Sequence, residues 1–217
     1  MVQLLGKDVG STGYGLMGEW FYLNIEPHLI LQGLTWRPKP QSEEESFKAM
    51  RASLAAGCNF WNGGEFYGTP DFNSLTLLEK YFTKYPEDAD KVVLSIKGGL
   101  LPGLIPDSSP ENVRRSIDNS LKLLNGKKSI DIFECARVDK KTPIETTLKV
   151  MEDEYVKTGK IGGIALSEVS AATIERAAKV TKIVAVEIEL SLWSIDPLTN
   201  GIFEACARNG IPVVASV

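Results

Sequence analysis

Short runs of aliphatic and β-branched residues alternate with helical segments along most of the chain, and this alternation restricts the fold more than any other feature. Runs of strand character fall at 13–17, 59–62, 92–97, 130–135, 161–167, 184–190 and 211–215. Helix start and stop signals lie between them. Ser42 precedes Glu43, Glu44 and Glu45 in the manner of a capping box, Gly57 follows as a stop, and Phe47, Met50 and Leu54 recur on one face. Ser109 followed by Pro110 opens a long helix that turns Val113, Ile117, Leu121 and Leu124 inward, with Gly126 behind. Thr142 followed by Pro143 opens another, with Ile144, Leu148, Met151 and Tyr155 inward and Gly159 behind. Ser170 caps an alanine-rich helix, and 201–209 is a shorter one ended by Gly210. Strand–helix alternation implies a parallel sheet covered by helices. The apolar run 183–186 fits a strand buried on both faces. Polar residues gather at the C-terminal ends of the strands, at Asn62, Lys97, Ser167 and Glu187, which is where a (β/α) barrel carries its chemistry. No G-x-G-x-x-G opens a helix, so a TIM-type α/β barrel is preferred to a doubly wound sheet.

Two of the strand ends bear a pair of groups suited to carbonyl reduction. Tyr67 follows the second run and Lys97 ends the third. A phenol is a weak acid, with an ordinary pKa of about 10, and a neighbouring ammonium favours its anion. A tyrosine so placed can hand a proton to a carbonyl oxygen while hydride reaches the carbon. The net charge of −4 argues against general affinity for nucleic acid or anionic membranes. No apolar run approaches the roughly 20 residues needed to cross a bilayer, and the first residues lack the pattern of a secretory signal. Cys58, Cys135 and Cys206 match neither a zinc site nor a disulfide framework. They read as free, buried thiols in a reducing cytoplasm. Charges at 43–45, Arg114, Arg115, Lys127 and Lys128 read as solvated helix and loop charges rather than metal or phosphate sites.

The stretches LTWRPK (34–39), NFWNGGEFYG (59–68), KVVLSIKGG (91–99), IDIFECARVD (130–139), PIETT (143–147), LSEVSAATI (166–174) and VEIELSLWSID (186–196) resemble, in order and spacing, the aldo-keto reductase family, and within it the fungal pyridoxal reductases. The resemblance implies a (β/α)8 barrel that binds NADPH without a dinucleotide-binding domain, acts on a small-molecule aldehyde, and works as a monomer in the cytoplasm. It implies reversible conversion of pyridoxal to pyridoxine. Tyr67 falls at the proton-donating tyrosine and Lys97 at the lysine that lowers its pKa. Asn62 falls where that family carries an aspartate and Ala136 where it carries a histidine. Glu65 is a candidate to replace the missing carboxylate. The resemblance puts Ser167, Glu168 and Glu187 against the nicotinamide carboxamide, and Ser216 where an aromatic ring otherwise stacks. Met17, Trp36 and Ala136 are read as walls of the substrate pocket, with ordinary packing an equal reading for Trp36.

Two features of length depart from the family pattern. The likeness implies an eighth strand beyond residue 217, so this chain is expected to be one reductase domain over 1–217 that lacks the closing strand. Residues 19–33 form an aromatic and aliphatic insert containing His28, the single histidine. It reads either as a lid or, more simply, as a translated intron or other gene-model error. A catalytically weak barrel with a binding or regulatory role is the alternative to the enzyme.

Overall fold

The computed structural model of the chain describes residues 2–16, 34–35 and 41–216. An antiparallel hairpin, β1 (Val2–Leu4) and β2 (Lys7–Val9), opens it. There follow β3 (Tyr14–Gly15), α1 (Glu43–Ala55), β4 (Phe60–Gly64), α2 (Ser74–Lys84) and β5 (Val93–Gly98). A small hairpin, β6 (Leu100–Leu101) with β7 (Ile105–Pro106), leads into α3 (Pro110–Leu124) and β8 (Ile130–Cys135). The rest is α4 (Ile144–Met151), β9 (Ile161–Ser167), α5 (Ala171–Ala177), β10 (Ile183–Glu189), α6 (Ile202–Arg208) and β11 (Val213–Ser216).

Seven strands form one sheet in the order β3, β4, β5, β8, β9, β10, β11, every neighbouring pair parallel. Every strand run expected from the sequence is present. The sheet is curled into an open (β/α) barrel, and one contact proves the curvature. Asn62 on β4 donates to Glu187 on β10 at 2.7 Å, although β5, β8 and β9 lie between them. In a flat sheet four strand spacings would separate them by about 19 Å. Among the described residues β3 and β11 close on no further strand.

Two apolar layers follow from the alternation of side chains along each strand. One lies between sheet and helices, where Trp61, Leu94, Ile96 and Phe133 meet Leu78, Ile117 and Leu148. The other fills the barrel's floor with Phe60, Val93, Ile132 and Ala165, covered by Leu4 and Val9 of the first hairpin. Asp131 pins this floor. It accepts from Lys7 at 2.9 Å, Lys128 at 2.6 Å and the Leu94 amide at 2.9 Å. Lys128 is therefore a buried structural cation, 5% exposed, and not the solvated loop charge expected of it.

The helix signals were mostly sound. Ser42 caps α1 through the Glu45 amide, Ser109 caps α3 through the Asn112 amide and Ser170 caps α5 through the Thr173 amide. Thr142 does not cap α4. Its hydroxyl donates to Asp139 at 2.8 Å, and Pro143 occupies the cap position. The helix α2 was not anticipated. Asn73 and Thr76 form its capping box, and Leu75, Leu78 and Phe82 are among the residues that it buries.

Candidate active site

Above the apolar floor, the inward positions of the strands turn polar. Strand register sets them side by side: Asn62 stands opposite Ser95, and Lys97 opposite Glu134. Ser167 stands opposite Glu187, and Glu189 opposite Ser216. The Lys97 ammonium crosses the barrel to the Glu187 carboxylate, which it contacts directly. It also donates to Asn62 Oδ1 at 3.3 Å and lies 3.8 Å from Glu134 Oε1. Asn62 Nδ2 completes a closed circuit by donating to Glu187 Oε2 at 2.7 Å and Glu134 Oε1 at 3.3 Å. Burial disfavours the Lys97 ammonium, but the negative charge of the carboxyl pair Glu134 and Glu187 outweighs it and holds its pKa above the ordinary lysine value. Lys97 is a fixed cation.

Tyr67 lies in the turn after β4, with its phenol near enough to Lys97 for the ammonium to favour its anion. The turn is held by the Thr35 hydroxyl, which donates to the Tyr67 carbonyl at 2.7 Å, and by the Ser74 amide, which donates to the same oxygen at 3.0 Å. The Tyr67 ring rests on Gly64. A Cβ at position 64 would come within 2.8–3.0 Å of three ring carbons. Phe66 meets the ring edge-to-face at 4.9 Å. The expected lowering of the phenol's pKa does not follow. Burial pushes it up to about 12, Lys97 pulls in the other direction, and Glu187 and Glu134 add to the rise. Lys97's influence has the sign expected from its charge. Burial outweighs that influence, because Tyr67 is only 2% exposed.

Glu65 does not replace the missing aspartate. Its carboxylate turns away to α3, where Arg115 Nη1 at 2.7 Å, Ser116 Oγ at 2.5 Å and Asn119 Nδ2 at 2.8 Å donate to it. The carboxylate that Lys97 lacks at position 62 comes from Glu187. Glu187 is thus engaged by Lys97 and Asn62. Glu134, absent from the candidate residues, is the most buried member of the cluster at 1% exposure. Its signal was an acidic residue inside an apolar strand, two positions before Ala136 and so on the same face.

Ala136 is buried at the end of β8, its amide donating to the Gly98 carbonyl at 2.9 Å. It brings no polar side chain to the site. Cys135 points the other way, against Gly99, and burial pushes its thiol up to about 12, so it is an inert packing group. Ser167 is buried at the end of β9. Glu168 follows it in the left-handed region at φ 52°, with its amide bonded to the Glu187 carbonyl and its carboxylate accepting from the Glu189 amide at 2.7 Å. Ser216 shares the inward face of β11 with Val214. Met17, Trp36, His28 and the insert 19–33 lie outside the described residues. The hydroxyls of Ser167 and Ser216 can both donate and accept, as a carboxamide requires.

The aldo/keto reductase family model matches residues 31–217. "Probable pyridoxal reductase 2" of Schizosaccharomyces pombe (strain 972 / ATCC 24843) is 46% identical over 212 residues, covering 97% of this chain and 59% of that protein. A Saccharomyces cerevisiae (strain ATCC 204508 / S288c) relative named for the same activity is 37% identical over 217 residues, covering 94% of this chain and 58% of that protein. The chain thus spans under two thirds of the length of these relatives. Among solved structures, a thermostable aldo-keto reductase in complex with the inhibitor epalrestat superposes with a TM-score of 0.76 at 22% identity, covering 99% of this chain and 71% of that one. The curled parallel sheet, the order of its strands and these matches agree: the chain belongs to the aldo/keto reductase family.

Proposed function

We propose that the protein reduces an aldehyde to an alcohol with NADPH, and that the aldehyde is pyridoxal, converted reversibly to pyridoxine. The single observation that carries this reading is that Tyr67 and Lys97 meet in the barrel mouth, near enough for the ammonium to act on the phenol. A bound nicotinamide cofactor supplies the hydride. Ser167 and Ser216 would hold its carboxamide side, with Glu168 fixing the rim between β9 and β10. The chain's own residues manage the proton. Tyr67 stays protonated at neutral pH, as a donor must, and gives its proton to the developing alkoxide, a stronger base than a phenolate. Lys97 stabilises the phenolate left behind. Glu187 and Asn62 keep the ammonium under the phenol. Ala136 orients nothing, so the substrate oxygen is placed by Tyr67. No described helix is long and apolar enough to cross a membrane, and we place the enzyme in the cytoplasm as a monomer acting in vitamin B6 metabolism.

The test is titration of the full chain with NADPH, followed by loss of the reduced nicotinamide's absorbance on adding pyridoxal. Turnover is expected. Binding without turnover would move the reading to a binding or regulatory barrel, the alternative that Asn62 and Ala136 favour.

The Gly64 contact gives a second expected result. Gly64→Ala forces the Tyr67 ring off its seat, because the new Cβ meets it under 3.0 Å. A displacement near 1 Å at reacting groups costs about 10²-fold in rate. Turnover should fall by roughly ten- to a hundredfold with cofactor affinity kept, as read from kcat and the NADPH dissociation constant.

A further inference from the structure

We propose that Glu134 is held in its protonated form and donates a hydrogen bond to Glu187, which makes Glu134 the positioning residue that presents Glu187 to Lys97. Three observations lead there. The site encloses one cation and two carboxyl groups at 7%, 1% and 8% exposure for Lys97, Glu134 and Glu187. Two ionised carboxylates would leave an uncompensated negative charge away from water, which is strongly disfavoured. The Lys97 ammonium is also committed to one of them, touching Glu187 while lying 3.8 Å from Glu134. Finally, Glu134 Oε1 accepts from Ser95 and Asn62, each at 3.3 Å, yet Oε2 is buried and receives no donor among the described residues.

Oε2 belongs to a carboxyl group that shares two neighbours with Glu187: Asn62 Nδ2 donates to Glu134 Oε1 at 3.3 Å and to Glu187 Oε2 at 2.7 Å, and the Lys97 ammonium lies against both. A proton there serves both groups. It satisfies Oε2, and it gives Glu187 a further donor beside Lys97 and Asn62. The cluster then holds one anion and one cation. Electrostatics agree: burial first, then the charge of Glu187, raise the Glu134 carboxyl well above the ordinary carboxylate range, against a weaker pull from Lys97. The titratable groups facing Glu134 are Lys97 from β5, Glu187 from β10 and Tyr67 from the turn after β4. Ala165 of β9, its register neighbour, is apolar.

The sign of the pH dependence follows. An acid whose pKa is raised on folding is protonated in the folded chain where the unfolded chain has lost the proton. Its contribution is present in full below the ordinary glutamate value, about 4.3, and is lost as pH rises toward the folded value. Glu134→Gln is neutral, nearly isosteric, and keeps an N–H to donate to Glu187. Relative to this variant, the wild-type folding constant should fall by up to about tenfold per pH unit above pH ~5. Urea unfolding of the full chain measures it. Infrared spectra should show a protonated-carboxyl C=O band at neutral pH in the wild type that Glu134→Gln lacks and alkali removes. Parallel stability profiles, or the absence of that band, overturn the proposal. If Glu134→Gln fails to fold, the wild-type band and its pH dependence decide alone.

The positioning role rests on the reductase reading, the protonation does not. Turnover lost in Glu134→Leu should return by about tenfold or more in Glu134→Gln, and equal loss in both overturns the role. If the melts and spectra hold while no form of the chain reduces pyridoxal, the proposed reaction falls and the protonated pair stands.

Discussion

Lys97→Met is expected to cost about 3–5 kcal/mol of stability and to abolish turnover. Methionine matches the length of the lysine stem, so little packing is lost. What disappears is the cation that Glu187 touches, leaving this carboxylate buried at 8% exposure with Asn62 its one remaining side-chain donor among the described residues, besides the proton proposed on Glu134. Removing one partner of a buried pair is costly because the other charge is left uncompensated, and this penalty is distinct from the pair's net worth. The double variant Lys97→Met with Glu187→Gln separates the two. It should recover most of the loss, since both charges are gone and Asn62 can still bond the amide. Urea midpoints at constant slope provide the measurement. A single variant as stable as the wild type would mean that the contact between Lys97 and Glu187 does not exist in solution.

That ion pair also marks the boundary of what the chain's sequence discloses. Strands β8 and β9 could be read to the residue, because each is an apolar run with turn residues at both ends. The polar end of the barrel was legible for the same reason: Asn62, Lys97, Ser167 and Glu187 interrupt such runs at one end. Which of these touch was not legible. Glu187 is 90 residues from Lys97 and three strands away in the sheet, and only the closing curvature brings them together. Likeness to a family puts Glu187 beside the cofactor and does not disclose its contact with Lys97, which finds no carboxylate at Asn62. Glu65, nearer in sequence, was the more obvious substitute. It fails because the chain turns after Gly64 and carries its side chain out to Arg115. Helix α2 was missed because its start signal pairs Asn73 with Thr76, a capping box without glutamate or glutamine. Its apolar positions at 75, 78 and 82 nevertheless have helical spacing. Burial of Tyr67 depends on the turn from Gly64 to Ser74, and no local pattern encodes it.

Tyr67→Phe isolates the proton transfer from everything else that holds the site. The ring keeps its seat on Gly64 and its edge contact with Phe66. Lys97 loses the phenol but keeps Glu187 and Asn62, so stability should change by about 1 kcal/mol or less. Turnover has no such reserve. Ala136 offers no alternative donor, and Lys97 is held against a carboxylate with its pKa raised, which makes it a poor acid. Loss of a general acid lowers kcat by about 10²–10⁴, roughly 2.7–5.4 kcal/mol in activation free energy at 1.36 kcal/mol per decade. NADPH affinity should hold, because the hydroxyl acts on the substrate oxygen. A variant that kept wild-type kcat would remove Tyr67 from the chemistry, and a loss confined to KM would make it a binding group. The pH dependence adds an independent check. With its pKa pushed up to about 12, Tyr67 does not ionise between about pH 6 and 9. Ultraviolet difference titration of wild type against Tyr67→Phe should therefore show no phenolate in that range, and a midpoint near the same high value if the fold survives. A phenolate signal near neutrality would mean that Lys97, rather than burial, controls the proton.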